Sequence, residues 1–115
     1  HVDSAAAMCP RYHHAVELIG RRWSGAILRA LLEDHHRYAD VKAFIPGLSD
    51  TMLAQRLRQL EREGLVIRHV APTAPVRVSY ALTPKGEALA PVIEALTVWA
   101  HEWVPMDDAD ARSAA

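Results

Sequence analysis

One segment, residues 46–70, constrains the fold more than any other part of the chain. It begins with Pro-Gly-Leu-Ser, carries leucines at helical spacing through residues 50–63, and then reaches Gly64 and an apolar stretch. Proline and glycine end a preceding helix, because the residue before proline avoids helical backbone and glycine accepts unusual dihedral angles. Ser49 is a good N-cap for the next helix, and Gly64 is a typical stop after it. The segment therefore predicts a tight turn, a capped helix, a stop and a strand.

The helix predicted over residues 49–63 has two unlike faces. Leu53, Leu57 and Leu60 recur at i, i+4 and i+7 and form an apolar stripe. At about 100° per residue, the opposite face carries polar and basic residues, flanked by Met52 and Gln59: Thr51, Gln55, Arg58 and Arg62. A helix anchored on one face and free on the other can enter a DNA major groove, which is roughly 12 Å wide. Glutamine can pair there with adenine and arginine with guanine, so this face predicts DNA recognition.

A short antiparallel hairpin is predicted directly after that helix. Apolar and polar residues alternate over 76–82, and residues 65–71 are rich in β-branched side chains. The loop that joins them contains two prolines, which stiffen it. We expect the two strands to be Leu65–Ala71 and Val76–Leu82.

Three helices are expected ahead of these elements. Apolar residues at helical spacing predict the first two over about 10–20 and 24–33, with Pro10 in a first turn that tolerates it. A short third helix should run over 37–45. It should turn three apolar side chains inward: Val41, Phe44 and Ile45.

A last helix is expected after the hairpin. Thr83 is a suitable cap and Pro84 a suitable first residue, and the helix should reach about Trp103. Pro91 falls inside this helix and should bend it. The broad apolar side would carry Leu89, Val92, Ile93, Leu96, Trp99 and Trp103.

Together these elements predict a mainly α-helical fold with a small β-hairpin, that is, a winged helix-turn-helix. With 115 residues, 50% of them hydrophobic, we expect one domain over 9–103, with flexible ends at 1–8 and 104–115. No apolar run approaches the roughly 18 residues that span a membrane. The first residues lack the basic-then-apolar pattern of a signal peptide and resemble a tag or a trimmed terminus.

The formal net charge of −1 is unevenly distributed. Residues 1–80 carry 11 Lys/Arg against 8 Asp/Glu, a balance of +3, whereas residues 81–115 carry 2 against 6, a balance of −4. The basic part coincides with the elements expected to read DNA, so a local patch is possible and should give modest, salt-sensitive affinity. The predicted DNA-binding residues are Arg37, Lys42, Ser49, Asp50, Thr51, Gln55, Arg56, Arg58, Gln59, Arg68 and Arg77.

Short motifs in unbroken order resemble one known family. They are Cys9-Pro10, Ile19-Gly-Arg-Arg-Trp23, Ile27-Leu28, Arg37-Tyr38, Pro46-Gly-Leu-Ser49, the run from Leu57 to Val66, the run from Tyr80 to Gly86, and Trp99. This set is similar to the HxlR-type winged-helix transcriptional regulators and covers about residues 9–103. MarR-type regulators share the wing but usually have longer terminal helices. ArsR-type regulators usually carry a metal motif that is not evident in this sequence.

The resemblance implies a homodimeric bacterial regulator, most often a repressor, that binds a pseudo-palindromic operator in double-stranded DNA. In the family the first and last helices form the dimer interface, a role that falls here to Tyr12, Val16, Leu96, Trp99 and Trp103. Packing of both tryptophans within one chain is the alternative. The sequence departs from the family pattern at residues 33–36, where relatives commonly have a glycine-rich turn, and in the wing loop with its two prolines.

The single cysteine, Cys9, stands at the predicted start of the first helix with Arg11, His13 and His14 close by. Helix-start amides and nearby cations favour the thiolate. Many relatives carry a cysteine near the N-terminus and some use it to sense oxidants or electrophiles, so sensing is one hypothesis and an inert thiol the other. Cys9 and His13 have the spacing of two metal ligands, but no third ligand is evident, so no metal site is expected. One cysteine also fits a reducing cytoplasm.

Further interpretations stay open. Trp23 and Trp99, with neighbouring aromatics, are candidates to line an apolar pocket for a small-molecule effector, and core packing is the other interpretation. The fold would then serve a small-molecule-responsive regulator without a cysteine switch. An enzyme would use Cys9 as a nucleophile beside a histidine, but a third group and an oxyanion-binding loop are not evident, so neither catalysis nor a cofactor is expected. A winged helix used only for protein–protein assembly is the remaining alternative.

Overall fold

A computed structural model describes residues 7–106 as six helices and one β-hairpin. The helices are α1 (Pro10–Gly20), α2 (Ser24–Leu32), α3 (Tyr38–Phe44), α4 (Asp50–Arg62), α5 (Pro84–Glu87) and α6 (Ala90–Trp103), and the strands are β1 (Val66–Ala71) and β2 (Arg77–Leu82). The predicted fold class, mainly helical with a two-stranded hairpin, is confirmed. The predicted flexible ends fall mostly on residues 1–6 and 107–115, which lie outside the described range.

The central helix α4 is bounded by the two residues predicted from the sequence, Ser49 before it and Gly64 after it. The Met52 backbone N–H donates to Ser49 Oγ at 3.1 Å, which satisfies one amide of the first turn. Gly64 has φ +77°, and the Leu65 N–H then donates to the Leu60 carbonyl at 2.9 Å. A side chain would oppose that left-handed conformation, so glycine ends the helix and turns the chain into β1.

The core lies where α2, α4 and the hairpin meet. Helix α2 contributes a nearly continuous buried run, and α4 contributes its leucine stripe, which is the predicted inner face. Single side chains from α3, β2 and α6 complete this core. Its largest fully buried members are Ile27, Leu28, Val41, Leu53, Leu57, Leu60 and Leu65.

The hairpin is held in a fixed register and is extended by a third segment. Strands β1 and β2 pair antiparallel, with Val66 opposite Leu82 at one end and Ala71 opposite Arg77 at the other. The Tyr80 N–H donates to the His36 carbonyl at 2.8 Å, and Arg37 forms a bridge with Ser79. The residues just ahead of α3 therefore attach that helix to the outer edge of β2, a contact that the sequence did not predict.

Two expectations for the helices are wrong. Phe44 was expected to face inward beside Val41 and Ile45, but it is 36% exposed, and its ring lies 4.7 Å from that of His35. Val41 in this seven-residue helix and Ile45 at its C-cap position already occupy the narrow inner face, and Phe44 falls at its edge.

The last helix is not one bent helix but two. Helix α5 ends at Glu87, and α6 begins at Ala90 with Pro91 in its first turn. Proline lacks an N–H and would clash with the preceding turn of a continuous helix, whereas a first turn has no bond to lose there. Pro91 therefore starts a helix instead of bending one. None of the helices within residues 7–106 is both long and apolar enough to cross a membrane.

Among the glycines of the chain, Gly86 has the least room for a side chain. A Cβ added there would collide with the carbonyl oxygen of Leu65 and stand 3.0 Å from the Leu82 side chain. Gly86→Ala should lower the free energy of unfolding by about 1–3 kcal/mol, because overpacking forces neighbouring backbone to shift. Urea denaturation followed by circular dichroism, at one fixed protein concentration, measures the loss.

Gly20→Ala is the matched control. Nothing lies within 4 Å of a Cβ at Gly20, so the free energy of unfolding should stay the same or rise by less than about 1 kcal/mol. Equal stability of the two variants would contradict the packing described around Gly86.

Candidate nucleic-acid interface

The outer face of α4 is free of the core. Leu53, Leu57 and Leu60 are at most 1% exposed and fix the helix on its inner side. The opposite side carries four exposed polar and basic residues: Thr51, Gln55, Arg58 and Arg62. Amide, guanidinium and hydroxyl groups on one exposed helical face are the donors and acceptors that read base edges. The predicted geometry of this face is therefore present in the fold.

The start of α4 is held against α3 by Tyr38. Its hydroxyl donates to the Asp50 carbonyl at 2.7 Å. Partial burial, and next the negative charge of Asp50, raise the pKa of Tyr38 above its usual value of 10.0, so the hydroxyl stays a donor at neutral pH. This bond links the two helices of the helix-turn-helix at the first residue of α4. Sequence reasoning placed Tyr38 in a motif but gave it no role.

Arg56 and Gln59 lie on the flank of α4 and interact within the chain. Arg56 Nε donates to the Arg22 carbonyl at 2.8 Å, and its Nη1 donates to Gln59 Oε1 at 2.9 Å. Both side chains are half-buried. This flank faces the turn between α1 and α2 and not the open side. DNA contacts by these two residues stay a prediction.

The wing, which is β1, β2 and the loop 72–76 between them, presents two exposed arginines. Arg68 stands opposite Tyr80, and Arg77 stands opposite Ala71. Residues directly opposite each other share a face, and faces alternate along a strand, so the two arginines lie on opposite faces of the ribbon. DNA contacts by both remain predictions, and a single flat surface would meet only one of these faces.

The two predicted basic residues of α3 are placed differently. Arg37 is exposed at the N-cap position of α3, where its backbone bridges to Ser79, so it lies between α3 and the wing. Lys42 is half-buried in the last turn of α3. Their contacts with DNA stay a prediction.

The cysteine and histidines near α1 form no cluster. Cys9 is exposed at the N-cap position of α1, and its carbonyl accepts from the His13 N–H at 3.0 Å. His14 Nε2 lies 3.1 Å from Glu63 Oε1, which links α1 to the end of α4. Among residues 7–106, no three His, Cys, Asp or Glu side chains are grouped so that they could hold a metal ion.

Comparison with known proteins identifies the family. Residues 18–108 match the family described as HxlR-like helix-turn-helix. The chain belongs to the HxlR-like helix-turn-helix family.

Individual relatives agree with this assignment. The HTH-type transcriptional regulator YvaP of Bacillus subtilis strain 168 is 44% identical over 97 residues, which are 84% of this chain and 90% of YvaP. The regulator YodB of the same organism is 40% identical over 101 residues, 88% of this chain and 90% of YodB. These relatives are transcriptional regulators and not enzymes.

Two solved structures share the fold over nearly their whole length. YodB in its reduced form superposes with a TM-score of 0.75 at 40% identity, covering 89% of this chain and 100% of that one. The redox regulator HypR in its oxidized form gives a TM-score of 0.77 at 28% identity, covering 85% and 100%. The winged helix-turn-helix architecture described above is thus the family fold.

The terminal helices of this HxlR-type chain expose large apolar side chains. Trp99 is 56% exposed and Trp103 is 65% exposed, and Ile93 is the one buried residue of α6. Besides Ile93, the Arg29 guanidinium attaches α6 to α2: its Nη1 lies 3.3 Å from Glu94 Oε2 and 3.2 Å from Thr97 Oγ1. The exposed set includes every residue predicted for the dimer interface: Tyr12, Val16, Leu96, Trp99 and Trp103. Packing of both tryptophans within one chain, the alternative interpretation, does not occur in this structure.

The predicted aromatic pocket is not assembled. Trp23 is half-buried at the turn between α1 and α2, whereas Trp99 is on the exposed side of α6. A cavity of about 280 Å³ does lie between α1, α2 and α6, lined in part by Ile19, Gly25 and Leu96, and neither tryptophan lines it. Ligand binding by Trp23 and Trp99 stays a prediction.

Proposed function

We propose that this HxlR-type protein is a cytoplasmic, homodimeric regulator that binds a pseudo-palindromic operator and represses transcription. The observation that carries the proposal is the outer face of α4, which is polar, basic and exposed above a fully buried leucine stripe. We call α4 the recognition helix from here on. Its first turn offers backbone amides to a phosphate, close to Ser49.

Four polar groups on the recognition helix have matching partners in the major groove or on its phosphates. Arg58 suits the O6 and N7 acceptors of guanine, and Gln55 suits the N6 and N7 of adenine. Asp50 can accept from the amino group of cytosine, and Thr51 can reach a base or a phosphate. The wing and Arg37 are suited to backbone phosphates beside the groove. Base edges give the sequence preference, and phosphates give the salt-dependent affinity.

A second copy of the chain is the proposed partner of the terminal helices. A monomer that exposes two tryptophans and neighbouring apolar side chains leaves an unusually apolar patch in water. Pairing of α1 and α6 across a two-fold axis would cover that patch and place two recognition helices in one complex. Helices related in this way read half-sites about one helical turn apart, roughly 34–36 Å, which makes the operator pseudo-palindromic.

Cys9 is the proposed point of control. It is exposed and immediately precedes α1, so any group attached to it lies at the start of a dimerisation helix. The relative YodB is known in reduced, diamide-treated and quinone-bound forms, and HypR is a redox regulator, which supports control of this chain by oxidants or electrophiles.

Two reactions would modify Cys9. With diamide, the Cys9 thiols of two protomers lose two protons and two electrons to form a disulfide, and the N=N bond takes both to become a hydrazine. With a quinone, Sγ adds to a ring carbon and the displaced electron pair moves to a carbonyl oxygen, which is protonated. Proton transfer from the ring then gives a hydroquinone thioether. Either product would change the spacing of the recognition helices.

A small-molecule effector without a cysteine switch is a second candidate. A cavity of about 280 Å³ favours this candidate, because the cavity lies where the terminal helices α1 and α6 meet α2. Such a ligand would act by changing the angle at which α6 leaves the core.

Arg58→Ala tests DNA recognition. A lost guanine contact should weaken binding to a duplex enriched from a random library by about 1–3 kcal/mol per half-site and relax the preference at one base pair of each half-site. Fluorescence anisotropy with that duplex and with single-base variants of it measures both effects. Arg11→Ala, which removes the same charge from an exposed site on α1, should keep the preference intact. Wild-type protein that binds shuffled and enriched duplexes equally would favour a protein-assembly module instead.

Trp103→Ser tests the dimer. Loss of a buried aromatic anchor should cost at least about 2 kcal/mol and raise the dimer dissociation constant roughly 30-fold. Sedimentation velocity over a concentration series measures it. Val98→Ser is the control, because Val98 is also an exposed apolar residue of α6 but lies on a different side of the helix. A monomeric wild-type protein, or equal effects of both substitutions, would contradict the proposed interface.

Cys9→Ser tests the switch. Diamide should change the operator affinity of the wild-type protein and leave the variant unchanged, because the chain contains one cysteine. Reduced DNA binding should be the same in both proteins. Anisotropy before and after diamide, with a non-reducing gel for the linked dimer, gives the measurement. An equal diamide response in the serine variant would refute the role of Cys9.

A further inference from the structure

The turn between α1 and α2, residues 21–23, lies against the flank of the recognition helix. The Arg56 guanidinium donates to the Arg22 carbonyl at 2.8 Å and to Gln59 Oε1 at 2.9 Å. A charged donor makes a stronger hydrogen bond than a neutral one, so this contact fixes the backbone of the turn relative to α4. The backbone of Arg22 is thereby held beside the flank of the recognition helix.

Trp23 shapes the same turn at an energetic cost. Its φ is +76°, a left-handed conformation that bulky residues rarely adopt. The indole packs against the core, and its Cη2 lies 3.8 Å from where a Cβ on Gly47 would be. The strained turn therefore rests on the bend that leads into the recognition helix. A strained residue persists only where the surrounding structure holds it, and such residues are common at functional sites.

The Arg22 side chain is held in place before any partner arrives. Its guanidinium carbon lies over the Trp23 ring, 4.8 Å from the centroid, which is cation–π geometry. Arg22 is exposed, and within residues 7–106 it takes no part in an ion pair. Its charge is thus available to an anion, and stacking has already restricted its side-chain motion.

We infer that Arg22 contacts a backbone phosphate beside the groove that the recognition helix enters, and that Arg56 positions Arg22 and does not itself contact DNA. The inference rests on the proposed function, since it assumes that α4 lies in a major groove. Phosphates border that groove on both sides, and a fixed cation on the flank of the inserted helix meets one of them. Sequence reasoning assigned Arg56 to DNA and gave Arg22 no role.

The test is the salt dependence of binding. Anisotropy titrations at several salt concentrations use the enriched duplex and a single-base variant of it. Arg22→Ala should reduce the slope of log affinity against log salt by about two, one for each protomer of the bound homodimer, and weaken both duplexes equally, because a phosphate contact carries no sequence information. Arg22→Lys should restore the slope. Arg11→Ala removes an equal charge elsewhere and should leave the slope unchanged.

A double substitution separates the effect of Arg56 on the salt slope from the effect of Arg22. Arg56→Met keeps the aliphatic stem and should also reduce the slope by about two for the homodimer, because the turn is released in both protomers. If Arg56 acts only through Arg22, the double variant loses about two and not four. Circular dichroism and thermal melting show that each variant is folded, and the slope itself is independent of a modest loss of stability.

Failure of the Arg22 contact and failure of the proposed DNA recognition would give different results. Absence of selective duplex binding by the wild-type protein would overturn both. Selective binding with an unchanged slope in Arg22→Ala would overturn the Arg22 contact alone. A loss of about four in the double variant would show that Arg56 makes its own phosphate contact in each protomer and would overturn its positioning role.

Discussion

Burial of the leucine stripe of α4 is the constraint on which the rest of the structure depends. Leu53, Leu57 and Leu60 lie against α2 and the base of the hairpin, and this contact fixes the rotation of α4 about its own axis. A rotation by one residue position, about 100°, would bury a polar side chain and expose a leucine, so the outer face has one orientation. Every proposed base contact follows from that orientation.

Several contacts then hold α4 in place from different directions. The Ser49 cap and Tyr38 define its start, and Lys85 Nζ donates to the Glu63 carbonyl at 2.6 Å at its end. The His14 contact with Glu63 comes from α1, and the Arg22 carbonyl bound by Arg56 comes from the turn that follows α1. Helix α1 also follows Cys9 and exposes apolar side chains, so a shift of α1 would have to move α4 or break both contacts. These contacts connect the helix that follows Cys9, the proposed switch, to α4, whose outer face is proposed to read DNA.

Local patterns in the sequence were enough to predict α4 and the hairpin. A capping serine, leucines at helical spacing and a glycine stop act within one turn of the residues they affect, and strand alternation needs only its own period. The contact of Arg56 with Arg22 joins residues 34 apart and depends on how α1 packs, which no local pattern states. The placement of Arg68 and Arg77 on opposite faces depends on strand register. Phe44 was misplaced because apolar character does not show which residue of a short helix takes the limited inner face.

The most direct test of the account is selection of binding sites from a random duplex library by the reduced protein. The stoichiometry of the selected complex is then measured by sedimentation. Two recognition helices related by a two-fold axis should select an inverted repeat with half-site centres about 10–10.5 base pairs apart, bound by two protomers. Selection of a single asymmetric half-site by one protomer, or no enrichment at all, would contradict a homodimer that reads DNA through α4.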